Sequence, residues 1–165
     1  LEHLLAQIRQ SLKPDGFLFL NEYIGPNRFD FTPRQKEVLI AAFTLIPHRF
    51  RRYFGQEGPD YVVGVGIPDP AAVQAADDSE SVRSAQIMSV LEQHFEIVTF
   101  CKTGGTLLQF LLNNIAGNFC SSDPDSIKVL EMLFTIEDTL IEVGDLDSDF
   151  AVIGARPRVT LSPSP

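Results

Sequence analysis

The chain has no run of ~20 consecutive apolar residues, the length that crosses a bilayer as a helix. Its most apolar segment, 106–119, is interrupted by Gln109, Asn113 and Asn114. No membrane association is expected from this pattern. Cysteine is scarce: Cys101 and Cys120 are the only two, and no Cys-x-x-Cys occurs. Two thiols in apolar surroundings are expected to be buried and reduced rather than bridged. His3, His48 and His94 lie far apart and without metal-ligand spacing, so no metal site is expected. Positive charge is also in short supply. Thirteen Lys and Arg against 22 Asp and Glu give a net charge of -9, which repels a phosphate backbone and argues against nucleic acid as a partner. The chain opens on Leu1-Glu2-His3, with no initiator Met, basic leader or signal-like core. This reads as an excerpt that begins inside a helix, with the cytoplasm as the expected compartment.

What is present suits one folded domain. The 165 residues are 44% hydrophobic and 21% charged, enough to bury a core. Leu1, Leu4, Leu5, Ile8 and Leu12 form the 3.6-residue stripe of an amphipathic helix, which Pro14-Asp15-Gly16 ends. Phe17-Leu18-Phe19-Leu20 then predicts a strand buried on both faces, as in parallel α/β sheets. Thr32-Pro33-Arg34-Gln35 predicts a helix over 33–45: Thr caps, Pro takes the first turn and Gln35 completes a capping box. Residues 53–78 read as irregular, with a short strand or an apolar loop at 61–67. A helix is predicted over 79–94 and a strand over 95–100. A turn at 103–106, an apolar helix to about 119, a helix from Asp123-Pro124 to Val143, and a last buried strand over 149–155 follow. Three strands and about five helices result, with a Pro- and Ser-rich tail over 157–165 expected to fray.

Two segments have competing readings. The basic, aromatic run 49–54 reads first as a helix end, where arginines are favoured by the helix dipole, and second as an anion- or partner-facing patch. Gly64-Val65-Gly66 lacks the third glycine of a dinucleotide loop, and Pro68 follows, so it reads as connecting structure.

The segment Leu12-Lys13-Pro14-Asp15-Gly16, with the apolar strand after it and Asn21-Glu22-Tyr23 at its end, resembles the late strand motif of class I S-adenosylmethionine-dependent methyltransferases. Asp15 stands where that family usually has Gly. Glu22-Tyr23-Ile24-Gly25-Pro26-Asn27-Arg28-Phe29, Ser81-Val82-Arg83-Ser84, Gly104-Gly105-Thr106-Leu107-Leu108 and Ser148-Asp149-Phe150-Ala151-Val152-Ile153 are similar in order and spacing to a bacterial subgroup. The resemblance implies an α/β fold: the C-terminal portion of a seven-stranded, Rossmann-like sheet. Strands five, six and seven would be present, with the seventh antiparallel between the other two. Residues 1–156 would be the C-terminal part of the methyltransferase domain, and 24–78 an inserted helical cap. S-adenosylmethionine would be bound mainly by the N-terminal half, with no cofactor-binding residue in this chain.

The site expectations follow from strand polarity. Ligands in open α/β sheets sit beyond the carboxyl ends of strands. Glu22 lies there and is expected to accept a proton or orient a small-molecule acceptor, with Tyr23 walling the pocket. The competing reading of Glu22 is a strand-end carboxylate bonded to nearby backbone. Arg28, His48 and Arg51 are the cap's expected polar contributors, and an imidazole suits acid–base work near neutrality. His48 also reads as a helix-end surface residue. Two other classes stay open: a non-catalytic binding or oligomerisation module, dimerising through an exposed sheet edge or apolar face, and a different α/β enzyme. A hydrolase is disfavoured because no Gly-x-Ser-x-Gly elbow occurs.

Overall fold

The computed structural model describes residues 1–55 and 60–158. The order is α1 (Glu2–Ser11), β1 (Leu18–Tyr23), α2 (Pro33–Thr44), α3 (Pro70–Ala76), α4 (Ile87–His94), β2 (Phe95–Gly104), α5 (Leu108–Leu111), α6 (Pro124–Glu142) and β3 (Phe150–Pro157), with short 3₁₀ turns between. The class is α/β. The sheet is open, three-stranded and ordered β1-β3-β2, with β3 antiparallel to both neighbours. β1 and β2 therefore run the same way without touching, separated by a strand of opposite direction.

One face of the sheet is covered. Leu18 and Leu20 from β1, and Ala151, Ile153 and Ala155 from β3, pack with Leu5 of α1 and with Val90 and Leu91 of α4. On the opposite face, no layer of the described residues covers Phe17 and Phe19. Phe19 is 72% exposed, and Phe17, also exposed, stacks on it at 5.9 Å. The expectation of a strand buried on both faces therefore fails for β1: the apolar run is continuous, but only alternate side chains meet a covering layer. A second core lies beyond the strand ends. There Val38, Leu39, Ala42 and Phe43 of α2 pack with Phe110 and Leu111 of α5 and Leu133 of α6.

Local signals account for the helix starts. Thr32 caps α2 by accepting the Gln35 N–H at 3.1 Å, and Asp123 caps α6 by accepting the Asp125 N–H. The expected capping box does not close, because the Gln35 side chain is used elsewhere. Asp69-Pro70 starts α3 in the same manner as Asp123-Pro124, within a stretch read as irregular. The helix expected over 79–94 begins only at Ile87, since Ser81 adopts φ +48° and breaks the first turns. β2 runs on through the expected turn to Gly104, and the expected apolar helix shrinks to the four residues of α5, with Asn114 at φ +61°. At 61–67 there is a single bridge, Arg52 to Tyr61. Both cysteines are exposed and unbridged, against the expectation of burial. Cys101 shares the sheet face of Phe19 through its register with Val152, and Cys120 lies in the turn before α6. Within the expected tail, Pro157 ends β3 and Arg158 donates to the carbonyls of Glu92 and Phe95; residues 159–165 lie outside the described ones.

Candidate functional site

The carboxyl end of β1 opens onto a cavity of about 340 Å³ between Gly25, the start of α2 and the segment that leads into β3. Gln35, Thr106 and Asp149 form its inner polar wall. Gln35 Nε2 donates to Asp149 Oδ2 at 2.9 Å, to Thr106 Oγ1 at 2.7 Å and to the Thr106 carbonyl at 3.0 Å. The main chain joins the same point, because the Ile24 N–H donates to the Asp149 carbonyl at 2.7 Å. Three chain segments thus converge on one residue, Asp149, two at its side chain and one at its carbonyl.

Asp149 is only 3% exposed. Burial raises its pKa to about 6, and the charges of Glu137 and Asp147 push in the same direction. The hydrogen bonds with Gln35 and Thr106 oppose this shift. The result is a carboxyl that exchanges its proton close to neutrality, facing a cavity of small-molecule size, which is the condition a general base needs.

Tyr23 stands beside it. Its hydroxyl donates to the Pro26 carbonyl at 2.9 Å, and its ring meets Phe150 edge-on at 5.3 Å and Phe29 at 4.9 Å. Burial first, then the charges of Asp149 and Glu80, raise its pKa, so it remains a neutral donor. Tyr23 and Glu22 also line a second cavity of about 420 Å³, with Leu4, Val82, Arg83 and Ile87. Glu22 is exposed there and faces Ala151 in register, on the α1 side of the sheet. Arg83 holds Glu2 through two bonds of 2.6 and 2.8 Å, which lowers the Glu2 pKa to about 2.

The five expected site residues therefore separate. Glu22 and Tyr23 share a cavity. Arg28, at φ +56°, donates to the Asp77 carbonyl and so ties the two ends of the 24–78 stretch together. Arg51 donates to the carbonyls of Ile46 and Thr44, at the end of α2, and lies over the Phe43 ring at 4.7 Å. This is the helix-end role, and it leaves the guanidinium engaged with backbone. Arg49 of the same run pairs with Asp123 and Asp125 at the start of α6. His48 is exposed and stacks on Tyr61 at 4.0 Å.

Asp149, Gln35 and Thr106 are not among the site residues expected from the sequence, which marks Gln35 only as a capping residue and Thr106 and Asp149 only as parts of segments that carry the resemblance. Gln35 did carry a signal, being a polar residue at helical spacing from Val38, Leu39 and Ala42. Among the described residues no group of three or more His, Cys, Asp and Glu is placed to hold a metal ion, and no helix is long and apolar enough to cross a membrane. Comparison with protein-family models, with characterised proteins and with solved structures yields no match.

Proposed function

We propose that this chain is the C-terminal part of a class I S-adenosylmethionine-dependent methyltransferase and that it supplies the acceptor side of the active site. The strand order carries the reading: an antiparallel β3 between two strands of common direction is the arrangement that the resemblance implies for strands five, seven and six. The exposure of Phe17 and Phe19 and an edge of β1 that is unpaired among the described residues support it, because a larger sheet would continue from that edge and a further helical layer would cover the two rings.

These residues do not fit a cradle for the cofactor. Gly64 and Gly66 lie in an extended loop, and a Cβ added at either would meet nothing within 4 Å, so neither glycine serves a close approach. The cofactor, which would bring the transferable methyl group, belongs in this reading to the other half of the sheet. The chain's own contribution is the acceptor side at the end of β1. Tyr23 and Glu22 wall one cavity there, the 24–26 turn and Asp149 wall the other, and Glu22 or Asp149 takes the proton that a small acceptor gives up.

Isothermal titration tests the division of labour. The 165-residue chain should bind no S-adenosylmethionine, and a chain extended upstream through a strand, glycine-rich turn and helix should bind it. Tight binding by the 165 residues alone would overturn the assignment of the cofactor to the other half. A non-catalytic assembly module is the second reading, favoured by the exposure of Phe19, and its test is the oligomeric state discussed below.

A further inference from the structure

Asp149 closes the inner wall of the 340 Å³ cavity where four segments meet. It precedes β3, and its carboxylate accepts from Gln35 of α2. Its carbonyl accepts from Ile24, and Gly25 comes so close that a Cβ there would lie 2.5 Å from Asp149 Oδ1. Thr106, which follows β2, completes the ring through Gln35.

None of the groups around this carboxylate supplies a compensating positive charge. Glu137 faces it from α6 and is itself buried, and Asp147 faces it from its own segment, where it pairs at 3.8 Å with the exposed Lys102 of β2. Tyr23 faces it from β1, with Glu80 near the tyrosine. From α2 comes the neutral Gln35 amide, whose neighbour Arg34 is engaged with Asp145 and Glu37. A buried carboxylate beside two other acids is cheaper to keep neutral than ionised.

We propose that Asp149 is a proton-controlled latch on this cavity: neutral, it lets α2, the 24–26 turn and the start of β3 close on one another; ionised, it drives them apart to admit water. Linkage sets the direction. In the closed state the group titrates at about 6. Once hydrated it returns to the ordinary value of ~3.9, a difference of about two units. The opening constant then rises about tenfold per pH unit between ~4 and ~6, roughly a hundredfold in all, and is flat on either side.

Amide hydrogen exchange of the whole chain, corrected for intrinsic rates, tests this at Ile24 and Gln35, with Leu133 of α6 reporting global unfolding. At pH 7 Ile24 and Gln35 should open more readily than Leu133, and their opening should fall as the pH is lowered to 4. Asp149→Asn should give a flat profile near the tight, low-pH level of the wild type. A flat profile in the wild type would overturn the latch. So would equal opening at all three amides, since it would leave only global unfolding. Should Asp149→Asn not fold, the carbon-13 titration of the wild-type Asp149 side chain decides. A midpoint near 6 supports the latch, and one near 4 overturns it.

Discussion

Glu137, late in α6, accepts the backbone N–H of Leu107 at 2.7 Å through Oε1. The same oxygen takes the Leu108 N–H at 3.0 Å, and Oε2 takes that of Gly105 at 2.8 Å. These donors leave β2 through Gly104 and Gly105, both at φ +80°, and lead into α5, whose first amides have no partner within the helix. One carboxylate that is 2% exposed thereby ties α6 to the exit of β2. Glu137→Leu leaves three donors unpaired, and at ~1–3 kcal/mol for a buried orphan it should cost at least about 3 kcal/mol. Glu137→Gln keeps the shape but turns one acceptor into a donor, for a loss of about 1–2 kcal/mol. Urea denaturation of the two variants checks both the size and the order.

This residue shows what could be read from the sequence and what could not. The starts of α2 and α6 were legible because Thr32-Pro33 and Asp123-Pro124 act locally, through a side chain and the next two or three residues. The three strands were legible because their runs are apolar and β-rich. The site depended on contacts between residues far apart in the chain. Glu137 lies four residues after Leu133 on the buried stripe of α6, and Gln35 lies on that of α2. A polar residue on an apolar stripe announces that it has a partner without naming it. Gln35's partners are 71 and 114 positions away. Arg51 illustrates the opposite limit: its run reads as a helix end or as an anion-facing patch, and only the fold shows the Ile46 and Thr44 carbonyls within reach of its guanidinium.

Gly25 is held by space rather than by dihedral angle. A methyl group there would lie 2.5 Å from Asp149 Oδ1 and 2.7 Å from Tyr23 Cζ, and neither neighbour is free to retreat. Tyr23 is bonded to the Pro26 carbonyl, and Asp149 is bonded to Gln35. Gly25→Ala should therefore destabilise by the ~1–3 kcal/mol typical of overpacking. It should also weaken the Gln35–Asp149 bond, visible as a shift of the Gln35 side-chain amide resonances. An unchanged midpoint in urea would show that the 24–26 turn yields more easily than the packing implies.

Phe19 tests whether its sheet face finds a partner in a second copy. It is more exposed than Phe17 beside it, and both lie at the edge of the sheet that no strand pairs among the described residues. If that face closes by self-association, sedimentation velocity at tens of micromolar should show dimers or larger species. Phe19→Ser should then shift the population to monomer while changing monomer stability by no more than ~0.5 kcal/mol. A wild-type chain that sediments as a monomer throughout would remove the assembly-module reading and leave the rest of the larger sheet as the surface's partner.

The pH dependence of stability separates Asp149 from the other acids by sign. Asp77, Asp123 and Asp145 have pKa values held below the usual carboxylate range, so the stability they contribute is present above the unfolded value and lost as pH falls through their folded values. For Asp145 the leading cause is the hydrogen bond from Arg34. Asp149, raised to about 6 by burial, acts in reverse. Between pH ~4 and ~6 the folded state holds a proton that the unfolded state has released, so stability declines as pH rises through that window and levels off above it. Two units correspond to about 2.7 kcal/mol at most. Because the other acids contribute to any single profile, the measurement is the difference between wild type and Asp149→Asn in urea at pH 4, 5, 6 and 7. The wild type should lose stability relative to the variant by up to about 2–3 kcal/mol between pH 4 and 6, with no further change to pH 7. A difference that stays constant across the series, or that grows in favour of the wild type, would mean that Asp149 is hydrated in the native state and that the cavity wall is already open.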